Sequence, residues 1–240
     1  MISIKEMMGA DLSVRMRWAG AGLILGGLLF FGRMAPIFAV LPENLTFPPE
    51  TTEDLIRLQV IAGVRWPISH IMGLVSVGLL AAGYWVQASD LAAAGHKIVG
   101  RAAAVIASAA FGLFAIALVI DGFLVFNLAV AYSAGGSGAP SLPDVQAMHD
   151  RALLFFTPAV FLMFVAIGVL SSRMLHRFIH SRWLGWLGMA IAATAITAYL
   201  FGVTGPNWDN LQIGGSLMML GFLWHVLIGF AALFGRGVRQ

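Results

Sequence analysis

Apolar residues fall along this chain in blocks, and six of the blocks are long enough to cross a bilayer. A hydrocarbon core of about 30 Å takes about 20 mostly apolar residues. Segments 18–41, 67–87, 99–132, 149–171, 183–203 and 213–234 meet that requirement. The third is the longest, which predicts a span that tilts or protrudes on one side. Between the first two, Thr51 followed three residues later by Asp54 has the form of a helix N-cap, and Leu55, Leu58, Ile61 and Ala62 recur at helical spacing. The pattern predicts an amphipathic helix over 52–64 on the outer membrane surface, within an outer loop 42–66, with Pro67 at the first position of the second span. Segment 133–148 begins Ser-Ala-Gly-Gly-Ser-Gly-Ala-Pro and reads as a flexible outer loop. Residues 1–17 precede the first apolar block, which is too long for a signal-peptide core and has no small-residue cleavage site. They read as a cytoplasmic or interfacial N-terminus, with Ile4, Met7, Met8 and Leu12 on a short interfacial helix.

The polar residues between the blocks give an orientation. Lys5, Arg15 and Arg17, Lys97 and Arg101, Arg173, Arg177 and Arg182, and Arg236 and Arg239 share one side. Glu43, Glu50, Glu53, Asp54, Asp144 and Asp209 lie on the other, against Arg57 and Arg65. The positive-inside rule then puts both termini in the cytoplasm. No internal repeat is visible, so residues 1–240 read as one transmembrane domain.

Composition agrees with the pattern. The chain is 60% hydrophobic and 10% charged, where soluble domains carry about 25% charged residues, and its mean hydropathy is +0.89. These values exclude a secreted scaffold, a cytosolic enzyme and a nucleic-acid binder. The absence of cysteine removes disulfides, thiolate metal sites and thiol nucleophiles together. The net charge of +3 mostly marks topology rather than an anionic partner.

Few charged residues are left inside the spans, and each costs at least about 2.5 kcal/mol there, so such groups pair or do chemistry. Arg33 lies about 24 Å along span one from Arg17, and Asp121 about 30 Å along span three from Arg101, at the α-helical rise. Both fall in the outer half of the membrane, where an ion pair between them is the simplest arrangement. His70 in the first turn of span two, and His149 with Asp150 at the start of span four, lie at the same depth. Arg65 also belongs to this layer, with Asn127 and Tyr132 as its rim. Two readings stand: a structural Arg33–Asp121 pair beside interfacial histidines, or a functional pocket. His225, about 17 Å into span six, is expected to hydrogen-bond a neighbouring helix. His176 and His180 are four apart but sit among Arg173, Arg177 and Arg182, as a solvated basic turn would. His96 reads as a headgroup contact, and Met218 and Met219 as packing.

Several of these residues carry resemblances. Arg65-Trp66 followed by His70, Asp121-Gly122, and Arg182-Trp183-Leu184-Gly185-Trp186-Leu187-Gly188 resemble motifs of a loose group of uncharacterised bacterial six-helix membrane proteins. That likeness covers most of the chain and implies architecture alone. The first four spans also resemble the styrene oxide isomerases, four-helix membrane proteins that bind haem b. The likeness rests on His70, on Asp121-Gly122, and on Thr157-Pro158-Ala159 in span four. It implies His70 as axial ligand to the haem iron and Asp121 as a pocket acid, with the iron acting as a Lewis acid on an epoxide oxygen. The chain departs from that family at Ser76, where the family has asparagine, and at Ala129, where it has tyrosine.

The expectation is an all-α, six-span protein of the bacterial inner membrane with an outer-half polar pocket for a small amphiphilic ligand or haem, and isomerase chemistry as its enzymatic form. Asp121 and Arg33 are the candidate catalytic residues. His70 and His149 are the candidate cofactor-binding residues, with His70 the metal ligand. Alternatives are a non-catalytic subunit of a larger membrane complex, with other subunits or further copies of the chain as partners, and a small transporter.

Overall fold

A computed structural model describes residues 4–42, 45, 49–93, 95–175, 182–201 and 208–234. Among them there is no strand, and six helices are long and apolar enough to cross a membrane: Val14–Phe38, Arg65–Ala92, Lys97–Ala134, Leu142–Met174, Arg182–Leu200 and Ser216–Phe234. The chain is a polytopic all-α bundle. Its helices are α1 (Ile4–Gly32), α2 (Ala35–Phe38), α3 (Thr52–Ala62), α4 (Arg65–Ala93), α5 (Lys97–Val119), a π-helical segment (Ile120–Val125), α6 (Phe126–Ala134), α7 (Leu142–Met174), α8 (Arg182–Leu200) and α9 (Trp208–Phe234).

The spans follow one another around a ring in chain order, and α9 closes it by packing on α1. Lipid tails are as apolar as leucine, so helices in a membrane associate through close packing and hydrogen bonds rather than through the hydrophobic effect. The sequence supplies both. Ala103, Ala104, Ala107 and Ala110 are buried on one face of α5, which lets α4 and α7 approach it. Gly20 of α1 and Gly229 of α9 meet backbone to backbone: a Cβ on Gly20 would lie 2.6 Å from the Gly229 carbonyl oxygen. Ser76 Oγ donates to the Gly26 carbonyl at 2.6 Å, tying α4 to α1. The middle of the ring is filled by aromatic rings. Phe30 stacks on Phe222 at 3.6 Å between centroids, and Phe114 stands edge-on to both. Leu25, Leu28, Ile71, Val75, Leu220 and Leu223 are exposed, and they form an apolar exterior suited to lipid contact.

Three local features differ from expectation. Span one is broken at Arg33 and Met34. Pro36 has no N–H for the Gly32 carbonyl, and its ring crowds that carbonyl, so the helix restarts as α2 with Pro36 as its second residue. Span three contains the π segment. Finally, the 133–148 loop is shorter than its composition suggests. Ser141 donates its N–H and O–H to the Asp144 carboxylate at 2.7 and 2.6 Å, starting α7 at Leu142.

The helix expected over 52–64 is present as α3, and Asp54 N–H donates to Thr51 Oγ1 at 3.1 Å. It is more than a surface helix. Leu55, Ile56, Leu58 and Ala62 are buried in a second apolar cluster with Ile37, Trp66, Val125, Ala129 and Val145. The long third span explains this, because α6 and the start of α7 give α3 a wall to pack on. Gly63, at φ 54°, turns the chain from α3 into α4, which begins two residues before Pro67. At the N-terminus, the expected interfacial helix is continuous with span one as α1.

Candidate functional site

The α3 end of the bundle brings together Asp121, His70 and His149, one residue from each of three spans. Asp121 sits in the π segment, where the ladder shifts to a wider register; such segments are rare and often mark functional sites. Its carboxylate lies between two imidazoles. His70 Nε2 is 3.0 Å from Oδ2, and His149 Nδ1 is 3.2 Å from Oδ1. Helix phase explains the third partner, since Val145, His149, Ala152 and Leu153 form the buried face of the first turns of α7. Asp121 remains part-exposed, with 20% of its side-chain surface accessible, against 5% for His70 and 11% for His149.

His70 is held from behind. Its Nδ1 lies 2.8 Å from the Trp66 carbonyl one turn earlier, and Ser69 Oγ lies 3.1 Å from the same nitrogen while donating to that carbonyl. The Trp66 indole N–H donates in turn to the Asp121 backbone carbonyl at 3.3 Å. On the other face of the ring stands Gly122, where a Cβ would overlap the imidazole. The Asp-Gly step therefore gives the acid its position and the histidine its room.

Counting donors limits what this link can contain. A carbonyl oxygen only accepts, so a proton on His70 Nδ1 goes to Trp66, whereas a bare Nδ1 accepts from the Ser69 hydroxyl. A carboxylate only accepts, and it faces Nε2. A neutral imidazole has one N–H, so with Nδ1 protonated the link holds one proton more than a neutral histidine and a carboxylate do. That proton is then either on His70 or on Asp121, while His149 Nδ1 faces the other carboxylate oxygen. His225 provides the contrast. Its Nδ1 lies 2.7 Å from the Gly221 carbonyl, but its Nε2 faces the Tyr84 hydroxyl at 3.0 Å, which can donate. A neutral ring satisfies both contacts there, and the inter-helix hydrogen bond expected of His225 is the one to Tyr84.

The expected Arg33–Asp121 ion pair is not formed: both carboxylate oxygens face histidines. Arg33 instead places its guanidinium 4.5 Å above the Phe30 ring and its Cδ beside Gly73. Its Nε is buried with no hydrogen-bond partner among the described residues. Asp121 still acts on it through space. Arg65, Asn127, Tyr132 and Asp150 belong to the same end but are exposed and do not join the cluster. Met218 is buried in packing, as expected. His176, His180 and Arg177 lie outside the described residues.

A haem at His70 does not fit this arrangement. Both ring nitrogens are engaged and the ring abuts Gly122, so no nitrogen is offered to an iron. Among the described residues, no group of three or more His, Cys, Asp or Glu side chains is disposed to hold a metal ion. The two departures from the isomerase pattern have structural uses here: Ser76 ties α4 to α1, and Ala129 is buried in the α3 cluster.

A second buried polar group was overlooked in the sequence. Tyr84, Gln87 and Asp90 follow His70 along α4 and are buried, and neither the Gln87 amide nor the Asp90 carboxylate has a hydrogen-bond partner among the described residues. Their signal was the spacing of three residues, which keeps them near one helix face. Closing span two at residue 87 left Asp90 outside it. No family model, no curated protein and no solved structure matches this chain.

Proposed function

We propose that this is a bacterial inner-membrane protein that binds a small amphiphilic molecule at the Asp121–His70–His149 cluster and exchanges a proton with it. The carrying observation is the His70 link, with Nδ1 at 2.8 Å from a carbonyl and Nε2 at 3.0 Å from a carboxylate. A proton with two alternative holders, beside a part-exposed carboxyl group, is what a general acid–base centre needs. The enzymatic form of the reading is an isomerase, which gives a proton to its substrate and takes one back at the same centre. Resemblance to the styrene oxide isomerases at Asp121-Gly122 supports the acid role of Asp121. The basic-residue asymmetry supports an outward-facing site.

The test is nitrogen-15 magnetic resonance of histidine-labelled protein in bilayers, read together with infrared carboxyl bands. The expected result is one histidine protonated on both nitrogens, or else one protonated carboxyl group, and the loss of either in Asp121→Asn. Singly protonated rings throughout, with no protonated carboxyl group and no response to Asp121→Asn, would remove the reading.

A proton-coupled transporter is the second reading, favoured by the buried Gln87 and Asp90 further along α4. It requires the Phe30, Phe114 and Phe222 rings to move aside. Proteoliposome flux stopped by both Asp90→Asn and Asp121→Asn would select it.

A further inference from the structure

One cation at this end of the bundle has no carboxylate in contact with it among the described residues. Both oxygens of Asp121 face histidines. Arg33 remains, with a fixed positive charge that no carboxylate contacts among the described residues. Three observations describe its surroundings. Its guanidinium carbon lies 4.5 Å over the Phe30 ring, a contact that uses none of its N–H donors in a hydrogen bond to an oxygen. Its Nε is buried without a hydrogen-bond partner among the described residues. It stands at the Arg33–Met34 break, where the chain leaves α1 and the helix no longer covers its side chain completely. A guanidinium has five donors in a fixed fork that matches carboxylate and phosphate oxygens, and a cation in a low-dielectric layer draws an anion strongly.

We propose that Arg33 binds the anionic headgroup, phosphate or carboxylate, of an amphiphile whose chain lies along the apolar exterior of the bundle and whose head reaches the Asp121 cluster. This rests on the acid–base reading of that cluster and names the class of molecule it acts on. Phe30 and Gly73 are the positioning residues: one holds the cation over its ring, and the other leaves room for its stem.

The experiment measures binding of dodecyl phosphate, laurate and dodecanol to the full chain in nanodiscs of zwitterionic lipid. Wild-type protein should prefer the two anions over dodecanol by about ten- to hundredfold, the effect of hydrogen bonds to a charged group. Arg33→Gln should lose that preference, Arg33→Lys should keep part of it, and Arg65→Gln, at an exposed neighbour, should keep all of it. Competition by phosphatidylglycerol in the nanodisc identifies a lipid headgroup as the source of the anion, competition by inorganic phosphate identifies a free anion, and competition by neither identifies a discrete amphiphile. Equal binding of all three probes by wild-type protein overturns the proposal even if Arg33→Gln fails to fold, as does an unchanged preference in a folded Arg33→Gln. Absence of the preference in wild-type protein whose histidine signal persists removes this inference alone. Absence of that signal in wild-type protein removes the reading beneath it.

Discussion

Gly122 and His70 are in contact at a point where only a hydrogen fits: a Cβ on the glycine would overlap the imidazole ring. The contact lets α4 approach the π segment closely enough for the His70–Asp121 bond. Gly122→Ala should therefore destabilise the protein by about 1–3 kcal/mol through overpacking, and should lengthen or break that bond. Thermal unfolding in mild detergent measures the first effect, and the histidine nitrogen-15 spectrum the second. Unchanged stability and an unchanged spectrum would show that the two helices do not depend on this contact.

Tyr84 and His225 make a closed pair that is independent of the cluster. Tyr84→Phe leaves His225 Nε2 without its donor, at an expected cost of about 1–3 kcal/mol for a buried group left unsatisfied. His225→Phe should have a similar effect. A double-mutant cycle should then give a coupling of at least about 0.5 kcal/mol, whereas simple additivity would mean that the bond contributes nothing.

Thr51→Ala removes the oxygen that accepts the Asp54 N–H, and the loss of such a cap costs about 1 kcal/mol. Because α3 is held by one apolar face, the loss should appear locally. Hydrogen exchange of the α3 amides should speed up several-fold, while α5 and α7 stay unchanged. Uniform acceleration across all helices would contradict a local role.

Two glycines should respond in opposite directions. Gly20→Ala drives a methyl into the α9 backbone and should destabilise by about 1–3 kcal/mol. Gly78→Ala meets nothing within 4 Å in the interior of α4 and should stabilise by about 0.5–1 kcal/mol. Melting temperatures of the two variants check both signs.

The six spans, the Thr51 cap and the shared depth of His70, Asp121 and His149 were legible because length and charge set how far each residue lies along its helix. Depth does not give azimuth. Arg33 and Asp121 share a layer, yet the imidazoles take the carboxylate, because the facing of a side chain depends on helix phase and helix order. The π segment changes the phase of span three, and no residue type announces it. Other misses had signals that were present. Pro36 stands four residues after Gly32 and foretells the break. Ser141 and Asp144 have capping-box spacing inside what reads as a loop. Asp90 lay just beyond the boundary assigned to span two.

The π segment of Ile120–Val125 amounts to one residue accommodated inside an otherwise α-helical span. Running the same residues as a continuous α-helix would turn everything beyond the segment by about 100°. Ala129 would leave the α3 cluster, and a bulkier neighbour would take its place against Leu55 and Leu58. The span would still cross the membrane, but the acid on one side of the segment and the wall on the other could no longer both face their partners. A purely α-helical register through the segment, identical by hydropathy, would uncouple α3 from the site.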